Sequence, residues 1–433
     1  MAGIIGIRRE DKNRWERRVP LTPEHIHNFK ETYHIKTLIQ PSSIRVFSDN
    51  DYTKVGAQVS EDLSSCPLVF AVKEIPLSFF EPKKTYVFFS HTVKGQSYNM
   101  SMLKKMMELE CTLLDYEKIT NEKGIRLVFF GRYAGLAGMV DSLWAFGQRL
   151  ESLGISSPIN VIKQALHYPQ HLLEIKRHFQ TIAQTIKTEG LPKDITPLVV
   201  GFAGYGNVSK GAQEILDILP VKEIAPQNLK KVYERPSNTC LYKVVFKEKD
   251  MVAPINSTDT FDLQEYYAHP ENYRSIFEQY VPQLSILMNC IYWNRQYPRL
   301  ITKDYIRKTF CDPFHLQVIG DISVDINGAI EFTEKTTTPD NPVFIYHPQT
   351  DSITDGYQGK GIVVMSVDNL PCELPKESSQ SFSSSLCPFV PALASTDFSV
   401  DFKQLRLPPE LKKAVILHKG QLTPDFRYID KYL

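Results

Sequence analysis

The chain has 433 residues, 42% hydrophobic and 23% charged, with a formal net charge of +1. This is the balance of a globular chain long enough for two or three domains, and it offers no global field to recruit nucleic acid or an anionic membrane. No run of 18 apolar residues is present to span a bilayer.

The seven cysteines (66, 111, 240, 290, 311, 372 and 387) are scattered, with no Cys-x-x-Cys pair. That argues against a zinc site or other metal centre and against a disulfide framework, and it suits a reducing intracellular compartment. A strand signal starting at Gly3 leaves no room for a signal or transit peptide in this sequence.

The first 130 residues alternate strand and helix signals. Strands are expected at 3–8, 35–40, 67–73, 85–90, 111–115 and 125–130, with helices over Thr22 to Tyr33 and Gly95 to Glu110. Thr22-Pro23 is a good helix start, a cap followed by proline at the first helical position. Short strands alternating with ten-residue helices predict an α/β fold with a doubly wound parallel sheet.

Ala134-Gly-Leu-Ala-Gly138 then opens a long apolar helix through Leu153, read as a crossover between two domains because its small residues permit close backbone approach. Ile159 to Glu189 reads as helical, and the strand Pro197–Gly201 opens a second α/β unit. A charged, tyrosine-rich insertion interrupts that unit at 231–275 before strands return at 284–289 and 316–321. The strand Gly361–Ser366 is expected to bring the chain back into the first domain. Helical spacing of Phe382, Leu386, Phe389, Val390 and Leu393 makes the serine-rich stretch after 376 a helix packed there. The expected division is 1–133 plus 342–433, and 134–341.

Two of these strands end in basic side chains eighteen residues apart: Pro67-Leu-Val-Phe-Ala-Val-Lys73 and Thr85-Tyr-Val-Phe-Phe-Ser-His91. Near-continuous apolar runs are the mark of buried parallel strands, and α/β proteins place their chemistry beyond the carboxyl ends of such strands. Lys73 and His91 should therefore sit side by side on one rim, where an amine and an imidazole can share proton transfer. The plainer alternative is two rim residues facing water.

In the second half, Gly201-Phe-Ala-Gly204-Tyr205-Gly206-Asn207-Val208-Ser209-Lys-Gly211 follows an apolar strand and opens a helix. Glycines there allow a tight turn and let a pyrophosphate reach backbone N–H groups at a helix N-terminus. Ser209 replaces the third glycine of the pattern. The next strand, Val221 to Ala225, ends on Ala225 with Lys230 and Lys231 beyond it. A missing acid plus nearby cations favours a ribose 2′-phosphate, hence NADP(H). A shift of that strand by one position would instead make Glu223 the ribose acid and favour NAD(H).

Taken together, the chain resembles the lysine–2-oxoglutarate reductase domain of the α-aminoadipic semialdehyde synthases, and more distantly the lysine-forming saccharopine dehydrogenases and the alanine dehydrogenases. The resemblance spans essentially all 433 residues. It is carried by Ile7-Arg-Arg-Glu-Asp11, Trp15-Glu-Arg-Arg-Val-Pro-Leu-Thr-Pro23, Phe89-Ser-His-Thr-Val-Lys94, Gly204–Gly211, Ile291-Tyr-Trp293, Asp321-Ile-Ser-Val-Asp325 and Ser366-Val-Asp-Asn-Leu-Pro371.

The resemblance implies two Rossmann-like domains facing a cleft, and the reductive joining of L-lysine to 2-oxoglutarate to give saccharopine. It also implies that Lys73 and His91 carry the acid–base steps, in either order. Arg18 fits a bidentate clamp on a substrate carboxylate, with Arg17 pointing the other way, and Lys94 is a second carboxylate contact. Glu16, Glu74 and Glu117 match positions lining the cleft, and Asp321 is expected near the nicotinamide.

In the bifunctional relatives a saccharopine dehydrogenase domain follows, and it would begin about where this chain stops. The mitochondrial matrix is the implied compartment, and a homo-oligomer is compatible with the resemblance. The competing expectations are an NAD-dependent enzyme running the chemistry in reverse and a non-catalytic nucleotide-sensing module.

Overall fold

The computed structural model describes residues 3–169, 171–311 and 314–433. The chain forms two compact units, one from its first 130 residues together with 375–433 and one from 131–374.

In the first unit the elements run β1 (Ile4–Ile7), α1 (Pro23–Tyr33), β2 (Lys36–Ile39), α2 (Asp49–Lys54), β3 (Gln58–Val59), β4 (Leu68–Phe70), β5 (Thr85–Phe88), α3 (Ser97–Glu108) and β6 (Thr112–Asp115). Helix α1 begins as its sequence predicts, with Thr22 extended and proline at the start. It ends where His34 turns left-handed, with His34 N–H donating to Lys30 O and Ile35 N–H to Phe29 O. Ser48 and Asp51 cap α2 reciprocally.

The strand order is β6-β5-β4-β1-β2-β3, all parallel, and the strand Val415–His418 adds to β6 antiparallel. Strands β4, β5 and β6 are buried throughout, as expected of a parallel sheet covered on both faces. The helix Pro375–Leu386 packs on this unit, where Ser379 and Ser383 accept hydrogen bonds from Val19 N and Thr22 N, each at 3.0 Å. The segment 125–130 forms no strand beyond a single bridge from Arg126 to Thr120. The outer edge of β6 is already taken by Val415–His418, so that part of the sheet has no vacancy for it.

The second unit opens with α4 (Gly131–Ser152). The stretch expected to be one helix from Ile159 is instead two short 3-10 turns followed by α5 (His171–Glu189). Then come β7 (Val199–Ala203), α6 (Asn207–Leu216), β8 (Val221–Glu223) and β9 (Leu241–Phe246). A small antiparallel pair follows, β10 (Val252–Pro254) with β11 (Tyr273–Ser275), and then β12 (Ile286–Asn289), β13 (Val318–Asp321), β14 (Val343–His347), β15 (Ser352–Asp355) and β16 (Ile362–Met365).

The main sheet runs β15-β14-β16-β13-β12-β7-β9-β8. Two sequence expectations change here. The region 231–275 is not a simple insertion, because β9 lies inside it and pairs along the whole of β7. The apolar run 361–366 returns the chain not to the first unit but to β13, as β16, with β14 antiparallel on its other side. Residues 342–374 therefore belong to the second unit. An apolar run announces a buried strand without saying which sheet will hold it.

The glycines of α4 do allow close approach. A Cβ on Gly135 would lie 1.9 Å from Val208 O, and one on Gly211 of α6 would lie 2.0 Å from Arg132 O. Helices α4 and α6 thus touch backbone to backbone. Gly135→Ala is expected to force them apart and to lower stability by about 1–3 kcal/mol, the range for overpacked cores, read as a lower urea midpoint.

Candidate functional site

In the first unit the polar groups gather at the carboxyl ends of the parallel strands. Past β4 and β5 the ladder continues, with Phe89 N–H donating to Val72 O at 3.1 Å. Lys73 and His91 follow directly on these neighbouring strands, and both are half-buried.

Glu10, beyond the end of β1, holds the Lys73 segment in place. Its two carboxylate oxygens accept Val72 N–H at 2.6 Å and Lys73 N–H at 2.9 Å. Burial, with Glu16 nearby, pushes the Glu10 carboxyl up to about 7.

His91 is fixed from several sides. Its φ of 48° lies in the left-handed region, uncommon for a non-glycine residue. Just before it, Ser90 N–H donates to Asp115 Oδ2 at 2.9 Å, and Ser90 O accepts from Asn99 Nδ2 at 2.9 Å. The ring stacks on Phe89, and its Nδ1 meets Glu74 Oε1 at 2.6 Å. Burial alone would raise the Glu74 carboxyl. The hydrogen bond and charge of His91, with Lys12 at 3.1 Å, instead hold it well below the usual carboxylate range. An ionised Glu74 on Nδ1 orients the imidazole and leaves Nε2 as the ring nitrogen available for proton transfer.

The remaining sequence candidates of this unit separate. Arg18 and Arg17 do point opposite ways, Arg18 buried and Arg17 exposed. However, the Arg18 fork is engaged internally: Nε and Nη2 donate to the two oxygens of Glu16 at 2.8 and 2.6 Å, and both residues are buried. Its guanidinium also stacks over Phe130, 4.2 Å from the ring centre. In this structure two of the Arg18 nitrogens are thus taken by Glu16. Glu117 pairs with Arg126 at 3.2 Å, and Lys94 is exposed.

In the second unit Gly201 lies within β7. The chain then turns at Gly204, with φ of 93°, and Gly206 precedes the first turn of α6, which no side chain caps. A Cβ on Gly206 would meet nothing within 4 Å, so the space over this turn is open. Ser209 is buried and accepts from Gln213 Nε2 at 2.9 Å.

A cavity of about 300 Å³ lies over the turn, lined among others by Gly204, Tyr205, Gly206, Glu248, Tyr267 and Tyr292. An open glycine turn leading into an uncapped helix start suits a dinucleotide pyrophosphate on the N–H groups of Gly206, Asn207 and Val208.

Two family models match the chain. The model for the alanine dehydrogenase/PNT N-terminal domain matches residues 6–137, and that for the C-terminal domain matches residues 256–425. The chain belongs to the alanine dehydrogenase/PNT family. The family places it among oxidoreductases that use a nicotinamide dinucleotide, NAD(P).

An alpha-aminoadipic semialdehyde synthase of Arabidopsis thaliana is 38% identical over 99% of this chain and 41% of its own length. The mitochondrial enzyme of that name from Bos taurus is 36% identical over 99% and 48%. The chain thus spans less than half the length of these curated relatives. Among solved structures, an L-alanine dehydrogenase covers 99% of both chains with a TM-score of 0.63 at 18% identity, which shows the shared fold.

The sequence reading took β8 for the strand beside β7. β8 is not the neighbour of β7; β9 lies between them. Ala225 is exposed after β8, and Lys230 is exposed in the short helix that follows. Neither is among the residues lining the cavity. Glu223 pairs with Lys243 of β9 at 3.0 Å. The expectation of a 2′-phosphate rested on β8 lying beside β7, a place that β9 holds.

Asp321 does end a strand, but it is buried and accepts hydrogen bonds from Asn289 at 2.9 Å, Thr333 at 2.6 Å and Val324 N at 3.2 Å. Burial pushes its carboxyl up to about 6. Its contacts are those of a group bracing the ends of β12 and β13.

Three residues with clear placement were overlooked. Glu10 and Lys12 lie in or beside the distinctive stretch Ile7–Asp11, and Glu248 follows the strand hidden in the supposed insertion.

Proposed function

We propose that the chain is a lysine–2-oxoglutarate reductase, joining the ε-amine of L-lysine to the keto carbon of 2-oxoglutarate and reducing the resulting imine to saccharopine. The observation that carries this reading is the His91–Glu74 pair beside Lys73 on the rim of the first sheet, in a chain similar along 99% of its length to the semialdehyde synthases.

The attacking amine arrives as an ammonium of reference pKa about 10.4 and must lose a proton before it can add to the ketone. Lys73, in its neutral form, takes that proton. The carbinolamine then loses hydroxide as water, for which His91 Nε2 supplies a proton while Glu74 steadies the imidazolium from Nδ1. Lys94 is the cation we assign to a substrate carboxylate. The nicotinamide dinucleotide, when bound at the glycine turn, supplies the hydride.

Similarity to proteins named mitochondrial supports the same compartment for this chain. The longer relatives support a partner activity on saccharopine carried by a further domain.

Oxidation of the reduced dinucleotide by purified protein tests the reading, with lysine and 2-oxoglutarate omitted in turn. Oxidation is expected only when both are present. Turnover of pyruvate with ammonia, without lysine, would assign the chain to alanine dehydrogenase chemistry instead.

A further inference from the structure

We infer that Tyr428 and Tyr432, in the segment Pro424–Tyr432, are positioning residues that hold Lys94 in place for a substrate carboxylate. This rests on the reductase reading, in which Lys94 is assigned that contact, and goes beyond it.

Lys94 sits in a tight turn three residues after His91. Gly95 N–H donates to Thr92 O at 2.9 Å to close the turn, and Lys94 N–H donates to Gln96 Oε1 at 3.0 Å. The start of the turn is tied to the sheet, because Thr92 Oγ1 lies 2.8 Å from Ser90 Oγ and Ser90 N–H donates to Asp115. Its tip, where Lys94 lies, is held by the segment Pro424–Tyr432.

That segment is a 3-10 helix of nine residues, where runs of three or four are usual. Residues three apart share a face in such a helix. Here the row is Thr423, Phe426, Ile429 and Tyr432. The first three are buried, and Phe426 and Ile429 belong to the hydrophobic core of the first unit. Tyr432 continues the row beyond the core, and its ring covers Gly95. A Cβ on Gly95 would lie 2.5 Å from that ring, and the φ of 70° there is one that glycine adopts freely.

Tyr428, on another face, donates its hydroxyl to Val93 O at 2.7 Å. Lys94 is thus gripped through both neighbours, one by a hydrogen bond and the other by a ring. Both tyrosines lie past residue 425, where the match to the C-terminal family model ends.

Tyr428 and Tyr432 are 45% and 43% exposed, so they add little to the core. What they touch is the turn. A lysine loses backbone and rotamer freedom when it binds an anion, and fixing its backbone beforehand lowers that cost. 2-Oxoglutarate brings two carboxylates and no ammonium, so it depends on such cations more than lysine does.

A double-mutant cycle on KM for 2-oxoglutarate, followed by oxidation of the reduced dinucleotide, tests this. Tyr428→Phe removes only a hydroxyl and should raise that KM about three- to tenfold, the worth of one hydrogen bond. The kcat and the KM for lysine should stay nearly constant. In a Lys94→Gln background the same change should have no further effect. Tyr432→Leu should behave alike. Amide hydrogen exchange at Lys94 and Gly95 should quicken in both tyrosine variants while the urea midpoint holds. A rise in KM that is equal with and without Lys94 overturns the inference, as does an unchanged KM or unchanged amide exchange in the variants. Absence of turnover by the unaltered protein would refute the reductase reading instead, and amide exchange alone would then decide whether the two tyrosines hold the turn.

Discussion

Lys73→Met and His91→Gln are each expected to lower kcat for dinucleotide oxidation by about 10²- to 10⁴-fold, the usual worth of a positioned acid or base. Neither should alter dinucleotide affinity, because the cavity over the glycine turn is lined entirely by residues 204–297 of the second unit. Both residues are half-buried at strand ends, so folding should survive.

The size of the effect follows from how firmly the pair is placed. Glu10 fixes the backbone before Lys73 through two amides, and Asp115 and Asn99 fix the residue before His91. Glu74 orients the ring. Such bracing would hold the two side chains at a set distance from a substrate. Unchanged turnover in both variants would favour the nucleotide-sensing alternative.

Glu16→Gln is expected to destabilise the protein by about 3–5 kcal/mol, because it takes away the carboxylate charge that faces a buried guanidinium. Arg18 and Glu16 are only 3% and 1% exposed. Water therefore cannot replace the two hydrogen bonds between them, at 2.8 and 2.6 Å. The denaturation midpoint should fall accordingly.

Replacing both residues, as Glu16→Gln with Arg18→Met, should recover much of the loss, since the two charges of the pair are removed together. If Arg18 instead holds substrate, Glu16→Gln will leave stability intact, and Arg18→Met will raise KM for 2-oxoglutarate.

Much of the site was legible in local sequence. The Lys73 and His91 strand ends could be read because apolar runs and their terminating residues lie next to each other in the chain. The glycine turn was legible for the same reason, since Gly204 and Gly206 answer to backbone conformation and open space within a few residues of themselves. The opposite facing of Arg17 and Arg18 followed from the alternation of extended chain. Their environment did not follow. Whether a guanidinium faces a ligand or a neighbouring carboxylate depends on which residues surround it, and Phe130 comes from far along the chain. Glu74 likewise carried no sign that it would meet the His91 ring.

By itself, then, the sequence determined the α/β class, most strand and helix positions, the rim pair and the glycine turn, because each depends on hydrophobic period, capping or local backbone freedom. Only the tertiary structure decided the order of strands. It put β9 between β7 and β8, kept β16 in the second sheet and returned the chain to the first unit at Pro375. Strand pairing joins residues distant in the chain, and a buried strand looks much the same whichever neighbour it acquires. That single choice of neighbour puts the end of β9, and not that of β8, beside the glycine turn.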